Sequence, residues 1–169
     1  MKPERGDEAL RRFRVSLPHS DYFLTFNLTE RGHGLTEAPT GSAIREEISA
    51  IEHAGYWRVR AAVIMPDHMH LLVALHAMLP LSRIVARLKS RTKRVLEQAG
   101  LCWQGNYYEH RLRTVEDAGP VILYIYLNPY RANLLPSSTP YPWFWLGVDE
   151  SAWFEPGLDN GKPFAEWLR

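Results

Sequence analysis

The pattern of hydrophobic positions predicts a strand, a helix and a β-hairpin in the first half of the chain. Aromatic and β-branched residues fill positions 22–29, a composition typical of a buried strand. Apolar residues recur at helical spacing over residues 42–53, and Gly55 is expected to end that helix. Residues 57–64 and 68–76 are strand-like and are separated by a Pro-Asp turn. Strand, helix and hairpin in this order form the first half of a ferredoxin-like layer.

The second half is predicted to contain a long helix, a strand and a further helix. Residues 81–99 have the clearest helical pattern, and residues 107–112 alternate as a strand does. The last helix is expected to begin at Thr114 or Asp117 and to break or kink at Pro129. The predicted fold class is therefore α+β, a ferredoxin-like antiparallel β-sheet with helices packed on it.

Composition divides the chain into three parts. Residues 1–17 are charged and without a clear period, and they are either a solvated tail or a basic arm that lies along a nucleic acid. Residues 18–135 contain the predicted sheet and helices and form the main domain. Residues 136–169 have tryptophans among prolines and acidic residues, which favours an appendage packed on that domain. A chain of 169 residues, 46% of them hydrophobic, is long enough for one well-cored domain.

The charge is distributed unevenly along the chain, although the formal net charge is only +1. Residues 81–113 include eight basic and two acidic residues, whereas residues 114–169 include three basic and seven acidic residues. A local excess of this kind indicates a polyanionic partner. One cysteine, Cys102, excludes an internal disulfide, and no apolar run approaches the roughly 20 residues of a membrane span. A charged amino terminus argues against secretion, so we expect a cytoplasmic protein.

The helix over residues 81–99 carries most of this positive charge. Its six cations have no carboxylate among them before Glu97, so nothing within the helix relieves their repulsion. A solvated helix face is the ordinary interpretation, and contact with phosphates is the alternative. The six cations are Arg83, Arg87, Lys89, Arg91, Lys93 and Arg94.

Two short patterns are the candidates for chemistry. His68 and His70 point to the same side of a strand, roughly 6–7 Å apart, which is close enough to share one metal ion. An isolated His-x-His is more often a hydrogen-bonded surface pair. Tyr124 and Asn128 project from one helix face, and a tyrosine hydroxyl beside a metal-polarised phosphate is a competent nucleophile. Two imidazoles and one amide suit Mg²⁺ or Mn²⁺, but spacing does not show that this helix meets the hairpin.

The order of several motifs resembles one family, the REP-associated tyrosine transposases of the HUH-type single-tyrosine superfamily, which are similar to IS200 transposases. The basic residues 11–14 before the strand at 22–25 resemble the arm and first strand of that family. The other matching segments are residues 63–72, 81–83, 88–91, 103–104, 108–110, 112–113, 124–129, 131–132 and 141–143. The resemblance implies an HUH endonuclease fold and covers about residues 11 to 145.

What the resemblance implies for the site can be written residue by residue. His68 and His70 would be metal ligands, Asn128 the third ligand and Tyr124 the nucleophile. The family cleaves and rejoins single-stranded DNA at hairpin-forming repeats, leaving a 5′-phosphotyrosine and a free 3′-OH. The cofactor would be Mg²⁺ or Mn²⁺, and the setting a bacterial cytoplasm, associated with the nucleoid. The residues expected to contact DNA are Arg11, Arg12, Arg14, Arg83, Arg87, Lys89, Arg91, Lys93, Arg94 and Arg131.

Two departures and two alternatives accompany this expectation. Asn133 stands where many relatives have glycine, and Leu123 where arginine or aspartate is frequent, which bears on hairpin specificity more than on catalysis. A hairpin-binding protein that does not cut DNA is the main alternative, and a replication-initiator or relaxase-like nuclease is the other. The protein is expected to act as a monomer or homodimer on single-stranded DNA with a hairpin.

Overall fold

The structure is a computed structural model that describes residues 16–29, 33–113 and 118–168. The described strands are β1 (Asp21–Asn27), β2 (Trp57–Ile64), β3 (His68–Leu75), β4 (Tyr108–Arg111) and β5 (Phe144–Leu146). The described α-helices are α1 (Thr40–His53), α2 (Leu81–Gln98), α3 (Ala118–Arg131) and α4 (Val148–Phe154). Two 3-10 turns follow, at Glu155–Gly157 and Ala165–Leu168. The arm residues Arg11, Arg12 and Arg14 lie outside the described residues.

The strands form one antiparallel sheet in the order β4-β1-β3-β2-β5. The chain order β1-α1-β2-β3-α2-β4 with β1 and β3 at the centre is the ferredoxin-like arrangement, so the predicted α+β class is confirmed. β5 pairs with β2 at the edge opposite β4. The tryptophan-rich segment that was expected to pack on the domain therefore also contributes an edge strand to the sheet.

Successive side chains of the sheet enter two separate cores, one on each face. Leu24, Phe26 and Leu71 belong to the core that α1 and α2 cover. Leu72 belongs to the core under α3. Because neighbouring residues of a strand point to opposite faces, His70 lies on the α3 side of the sheet. The basic helix α2 lies on the other side, so the sheet separates it from the histidine pair.

Two helix ends differ from the predicted ones. α1 begins at Thr40, two residues before the expected start at Ser42, and no side chain caps it. Gly41 is packed against the Trp143 ring so closely that a Cβ there would approach it to 2.6 Å. α3 continues two residues beyond Pro129, which is buried inside its last turn. A proline costs a helix one hydrogen bond, and the burial of this last turn in the second core offsets that loss.

Ion pairs connect α4 to the sheet. Arg60, at a β-bulge of β2, donates from Nε to Glu150 Oε1 at 2.6 Å and also pairs with Asp21 of β1. Arg58 donates to Glu150 Oε2 at 3.0 Å and pairs with Asp149 at 3.2 Å. Glu150 is only 1% exposed, so its carboxylate depends on these two guanidinium groups for its stabilisation. None of the helices that the structure describes is long and apolar enough to cross a membrane.

Candidate active site

The histidine pair lies at the start of β3, directly after the hairpin turn. Met65 N–H donates to His68 O at 2.8 Å and closes that turn, which fixes the position of His68. The rings of His68 and His70 have centroids 4.7 Å apart and planes inclined by 71°. The strand alternation that predicted a shared face is therefore seen in the side chains themselves.

Each imidazole is held by a hydrogen bond at Nδ1. His68 Nδ1 lies 2.7 Å from Asp67 Oδ1, and His70 Nδ1 lies 2.8 Å from Thr25 Oγ1 of the neighbouring strand. A second partner of this kind fixes the ring orientation and the tautomer of a metal-ligating histidine. The Nε2 atoms are the nitrogens that remain for an ion.

His70 Nε2 is buried and has no hydrogen-bond partner among the described residues. A buried polar atom without a partner costs free energy, and a bound cation would supply the missing interaction. Burial, and secondly the neighbouring His68, lower the pKa of His70 to about 3. The ring is therefore neutral at pH 7, which is the state that a metal ligand requires.

The two imidazoles need further ligands to complete a metal site. Within the described parts of the chain, no group of three or more His, Cys, Asp or Glu side chains is placed to hold a metal. Asn128 is partly exposed, one helical turn beyond Tyr124, and its side chain has no hydrogen-bond partner among the described residues. An amide oxygen belongs to the donor set that Mg²⁺ and Mn²⁺ accept, so Asn128 stays a candidate for the third ligand.

Tyr124 and Tyr126 lie in quite different surroundings. Tyr124 is 43% exposed, and its ring centroid lies 5.4 Å from that of His70. Tyr126 is 3% exposed and its hydroxyl donates to Gly161 O at 3.1 Å, while burial raises its pKa well above the ordinary value. Only Tyr124 of these two combines an accessible hydroxyl with contact to the histidine pair.

The structure also brings in residues that the sequence pattern had not singled out. Thr25 and Phe23 of β1 lie on the α3 side of the sheet beside His70, and Asp67 precedes the pair. The alternation of β1 places Thr25 and Phe23 on one face, but only the pairing register Thr25–His70 shows which residues they meet. Such a register between distant strands has no local signal in the sequence.

The cations of α2 fall into two groups. Arg83, Arg91 and Arg94 are exposed and have no ion-pair or hydrogen-bond partner among the described residues. The other three have partners among the described residues, although the pair that Lys93 forms is exposed. Arg87 pairs with Glu47 of α1 at 3.0 Å, Lys93 with Glu97 at 3.6 Å, and Lys89 donates to the carbonyl oxygens of Gln104, Gly105 and Asn106.

Arg131, at the end of α3, donates from Nη2 to Trp167 O at 3.3 Å. It is exposed, so its remaining N–H groups face solvent. Unlike the α2 cations, Arg131 belongs to the helix that carries Tyr124 and Asn128. The structure thus places one predicted DNA contact on the helix of the candidate site, and the α2 cations across the sheet from it.

A ferredoxin-like sheet that presents two histidines to an exposed, helix-borne tyrosine is the arrangement expected of a single-tyrosine transposase. Comparison with protein families agrees: the family described as "Transposase IS200 like" matches residues 19–115, more than half of the chain. The chain belongs to this family, and the family expected from its motifs is confirmed. Membership places it among transposases, a class of DNA-processing enzymes.

Two relatives are similar over most of their length. The REP-associated tyrosine transposase of Escherichia coli (strain K12) is 25% identical over 131 residues, which are 76% of this chain and 78% of that protein. A solved structure of a REP-associated tyrosine transposase bound to a REP hairpin has a TM-score of 0.67 and 23% identity. The superposition covers 85% of this chain and 82% of that one, and it shows that the fold is shared.

Proposed function

We propose that the protein nicks and transfers single-stranded DNA at hairpin-forming repeats, through a 5′-phosphotyrosine at Tyr124 and with a divalent metal. The observation that carries the proposal is the contact between the exposed Tyr124 and His70, whose buried Nε2 has no partner among the described residues. An accessible nucleophile beside an unsatisfied, neutral metal-type ligand has a use in phosphoryl transfer. A protein that only binds DNA has no use for this pairing.

The proposed chemical step transfers the phosphate of the cleaved linkage from the 3′ oxygen of DNA to Tyr124, and one phosphodiester replaces another. The Tyr124 Oη attacks the phosphorus and forms an Oη–P bond, its proton passing to water. The P–O3′ bond breaks, and the 3′ oxygen takes up a proton to become a free 3′-OH. Because the phosphotyrosine keeps the energy of the phosphodiester, a 3′-OH can later attack it and reseal DNA with no external energy source.

His68, His70 and the Asn128 amide would hold the metal ion, Mg²⁺ or Mn²⁺. When bound, such an ion withdraws negative charge from a phosphate oxygen and so favours attack by the phenol. The chain contributes the orientation: Thr25 and Asp67 hold the two rings by their Nδ1 atoms, and the burial of His70 keeps its ring neutral. Water and a phosphate oxygen would occupy the positions that the protein leaves open.

Thr25→Val is expected to weaken Mn²⁺ binding about 10- to 100-fold. Valine has the shape of threonine but cannot accept the Nδ1–H of His70, so the tautomer with the lone pair on Nε2 is no longer favoured. Isothermal titration calorimetry with MnCl₂ and the DNA-free protein measures this loss. Thr25→Ser keeps the hydroxyl and should bind Mn²⁺ as the wild type does. Equal affinities of the valine variant and the wild type would contradict the role of Thr25.

The DNA substrate is proposed on two grounds. A protein of the same fold has been solved with a REP hairpin bound, and this chain keeps exposed arginines that no partner neutralises among the described residues. Arg83, Arg91 and Arg94 would contact phosphates on the α2 side, and Arg131 nearer the site. The arm residues Arg11, Arg12 and Arg14 remain candidates for the same role. Lys89 and Arg87 are weaker candidates, because the fold already engages them, whereas Lys93 forms only an exposed pair with Glu97 of the same helix.

The proposal predicts that a single-stranded oligonucleotide with a hairpin is cut in Mn²⁺ and left intact in excess chelator. Denaturing gel electrophoresis of a 5′-labelled oligonucleotide measures the cut, because the fragment with the 5′ label is released with a free 3′-OH. Binding, followed by fluorescence anisotropy, should persist in chelator, because arginine–phosphate contacts do not need the ion, and should weaken steeply as salt is raised. Binding to several hairpins without any cut in Mn²⁺ would instead favour a hairpin-binding protein that does not cleave.

A further inference from the structure

An exposed tyrosine of β4, Tyr108, lies on the same side of the sheet as the histidine pair. The strand register aligns Tyr108 with Thr25, and Thr25 with His70, so these residues form one row across three strands. Directly opposed residues share a face, which places the Tyr108 side chain on the α3 side. Its exposed fraction, 56%, is high for a residue of a strand.

Phe23 links Tyr108 to the candidate site. Its ring centroid lies 6.2 Å from that of Tyr108, 5.9 Å from that of Tyr124 and 5.3 Å from that of His70. The planes of Phe23 and Tyr108 are inclined by 69°, so the two rings make an edge-to-face contact. Phe23 is partly buried, so it supports the two exposed tyrosines on either side of it.

The four rings of Phe23, His70, Tyr108 and Tyr124 therefore form one continuous aromatic surface. A single tyrosine exposed on a sheet is ordinary, but here two exposed tyrosines, Tyr108 and Tyr124, pack against the same phenylalanine, Phe23. Exposed aromatic rings are the side chains on which unpaired bases stack, because every base has a π-face. Tyr108 packs on Phe23 at the end of this surface and carries no charge, so it suits a base better than the phosphate that Tyr124 would attack.

We infer that Tyr108 stacks on an unpaired base beside the cleaved phosphate and so holds that phosphate against Tyr124. This inference rests on the proposed function and names a positioning residue for it. β4 lies two strands from β3, a separation of roughly 10 Å, which about one to three nucleotides of a single strand span. The base that Tyr108 holds therefore lies within about three nucleotides of the cut.

Two substitutions of Tyr108 distinguish stacking by its ring from any chemical role of its hydroxyl. Alanine removes both the ring and the hydroxyl, and phenylalanine removes only the hydroxyl. The alanine variant is expected to lose about tenfold to a hundredfold in affinity for the single-stranded flank, with a matching rise in KM and a smaller change in kcat. The phenylalanine variant keeps the ring and should bind and cut as the wild type does. Trp153→Ala, which removes an exposed aromatic side chain from α4, serves as the matched control and should change neither quantity.

Abasic substitution identifies the partner base and excludes a merely structural role. An abasic site is placed in turn at each position of the single-stranded flank of the hairpin, and binding is measured with wild type and Tyr108→Ala. At one position the abasic site should lower the affinity of the wild type by the same factor as Tyr108→Ala lowers it on intact DNA. The same abasic site should not lower the affinity of the Tyr108→Ala variant any further. Equal abasic losses in both proteins at every position, or a phenylalanine variant as weak as the alanine one, would overturn the inference.

The binding measurements are made in chelator, so they do not depend on cleavage. We call the dependence of the abasic effect on Tyr108 the coupling. If the wild type shows this coupling and never cuts hairpin DNA, the proposed chemistry fails while the stacking role of Tyr108 stands. If the wild type cuts and the coupling is absent, the proposed function stands and the inference about Tyr108 fails.

Discussion

Tyr124→Phe should abolish covalent attachment to DNA, lowering the rate of nicking by more than about a thousandfold, while hairpin binding stays within about twofold of wild type. Phenylalanine removes the nucleophilic oxygen and keeps the ring that contacts His70 and Phe23. Because Tyr124 is exposed and its hydroxyl has no hydrogen-bond partner among the described residues, the change should leave the stability unaltered. Adduct formation is measured by denaturing protein gels with labelled oligonucleotide, and binding by fluorescence anisotropy.

Tyr126→Phe is the matched control for this experiment. It removes a hydroxyl two residues away on the same helix, from a ring that packs against Tyr130, Phe144 and Phe154. The lost hydrogen bond to Gly161 O should cost about 1 kcal/mol of stability and leave the adduct unchanged. Adduct formation that survived in Tyr124→Phe and disappeared in Tyr126→Phe would exchange the roles of the two residues.

Glu150→Ala should lower the free energy of unfolding by about 3 kcal/mol. The substitution leaves the buried guanidinium of Arg60 with Asp21 as its remaining carboxylate among the described residues, and it removes the contact of Arg58 with α4 that is best shielded from water. Breaking one side of a buried ion pair costs far more than the pair itself contributes, because the other charge remains desolvated. Urea unfolding followed by circular dichroism measures the difference.

Asp149→Ala tests whether burial is the cause. Asp149 pairs with the same Arg58 at 3.2 Å, but its side chain is 75% exposed, so its loss should cost under about 1 kcal/mol. Similar losses for the two variants would show that charge alone, and not desolvation, sets the stability of this group. Neither residue lies near the histidine pair, so the DNA chemistry of folded protein should be the same in both.

The sequence predicted the layers of the fold better than their boundaries. Alternation and helical spacing are local signals, and they placed β1, α1, the hairpin and α2 close to where the structure has them. β5 has only three residues, and its pairing with β2 is a long-range contact without a period of its own. The sequence predicted a break or a kink at Pro129, and α3 does not break there because burial of its last turn outweighs the local effect of the proline.

The sequence singled out the candidate residues of the site, but it did not show which residues surround them. His68 and His70 stand out by alternation, and Tyr124 with Asn128 by helical spacing and by resemblance to the family. The contact between Tyr124 and His70 depends on which face of the sheet α3 covers, which only the fold decides. The contact of Thr25 with His70 is likewise decided by the fold. No charge pattern shows that the basic residues of α2 lie on the other side of the sheet.

The most direct measurement of the central claim is the chemical identity of the residue joined to DNA. Wild-type protein is incubated with Mn²⁺ and a single-stranded hairpin oligonucleotide, digested with nuclease and protease, and mapped by fragment-ion mass spectrometry. We expect a 5′-linked nucleotide on the hydroxyl of Tyr124 and a free 3′-OH on the released DNA. A nucleotide on Tyr108 or Tyr126, or DNA cut without any protein adduct, would contradict a mechanism in which Tyr124 attacks beside the histidine pair.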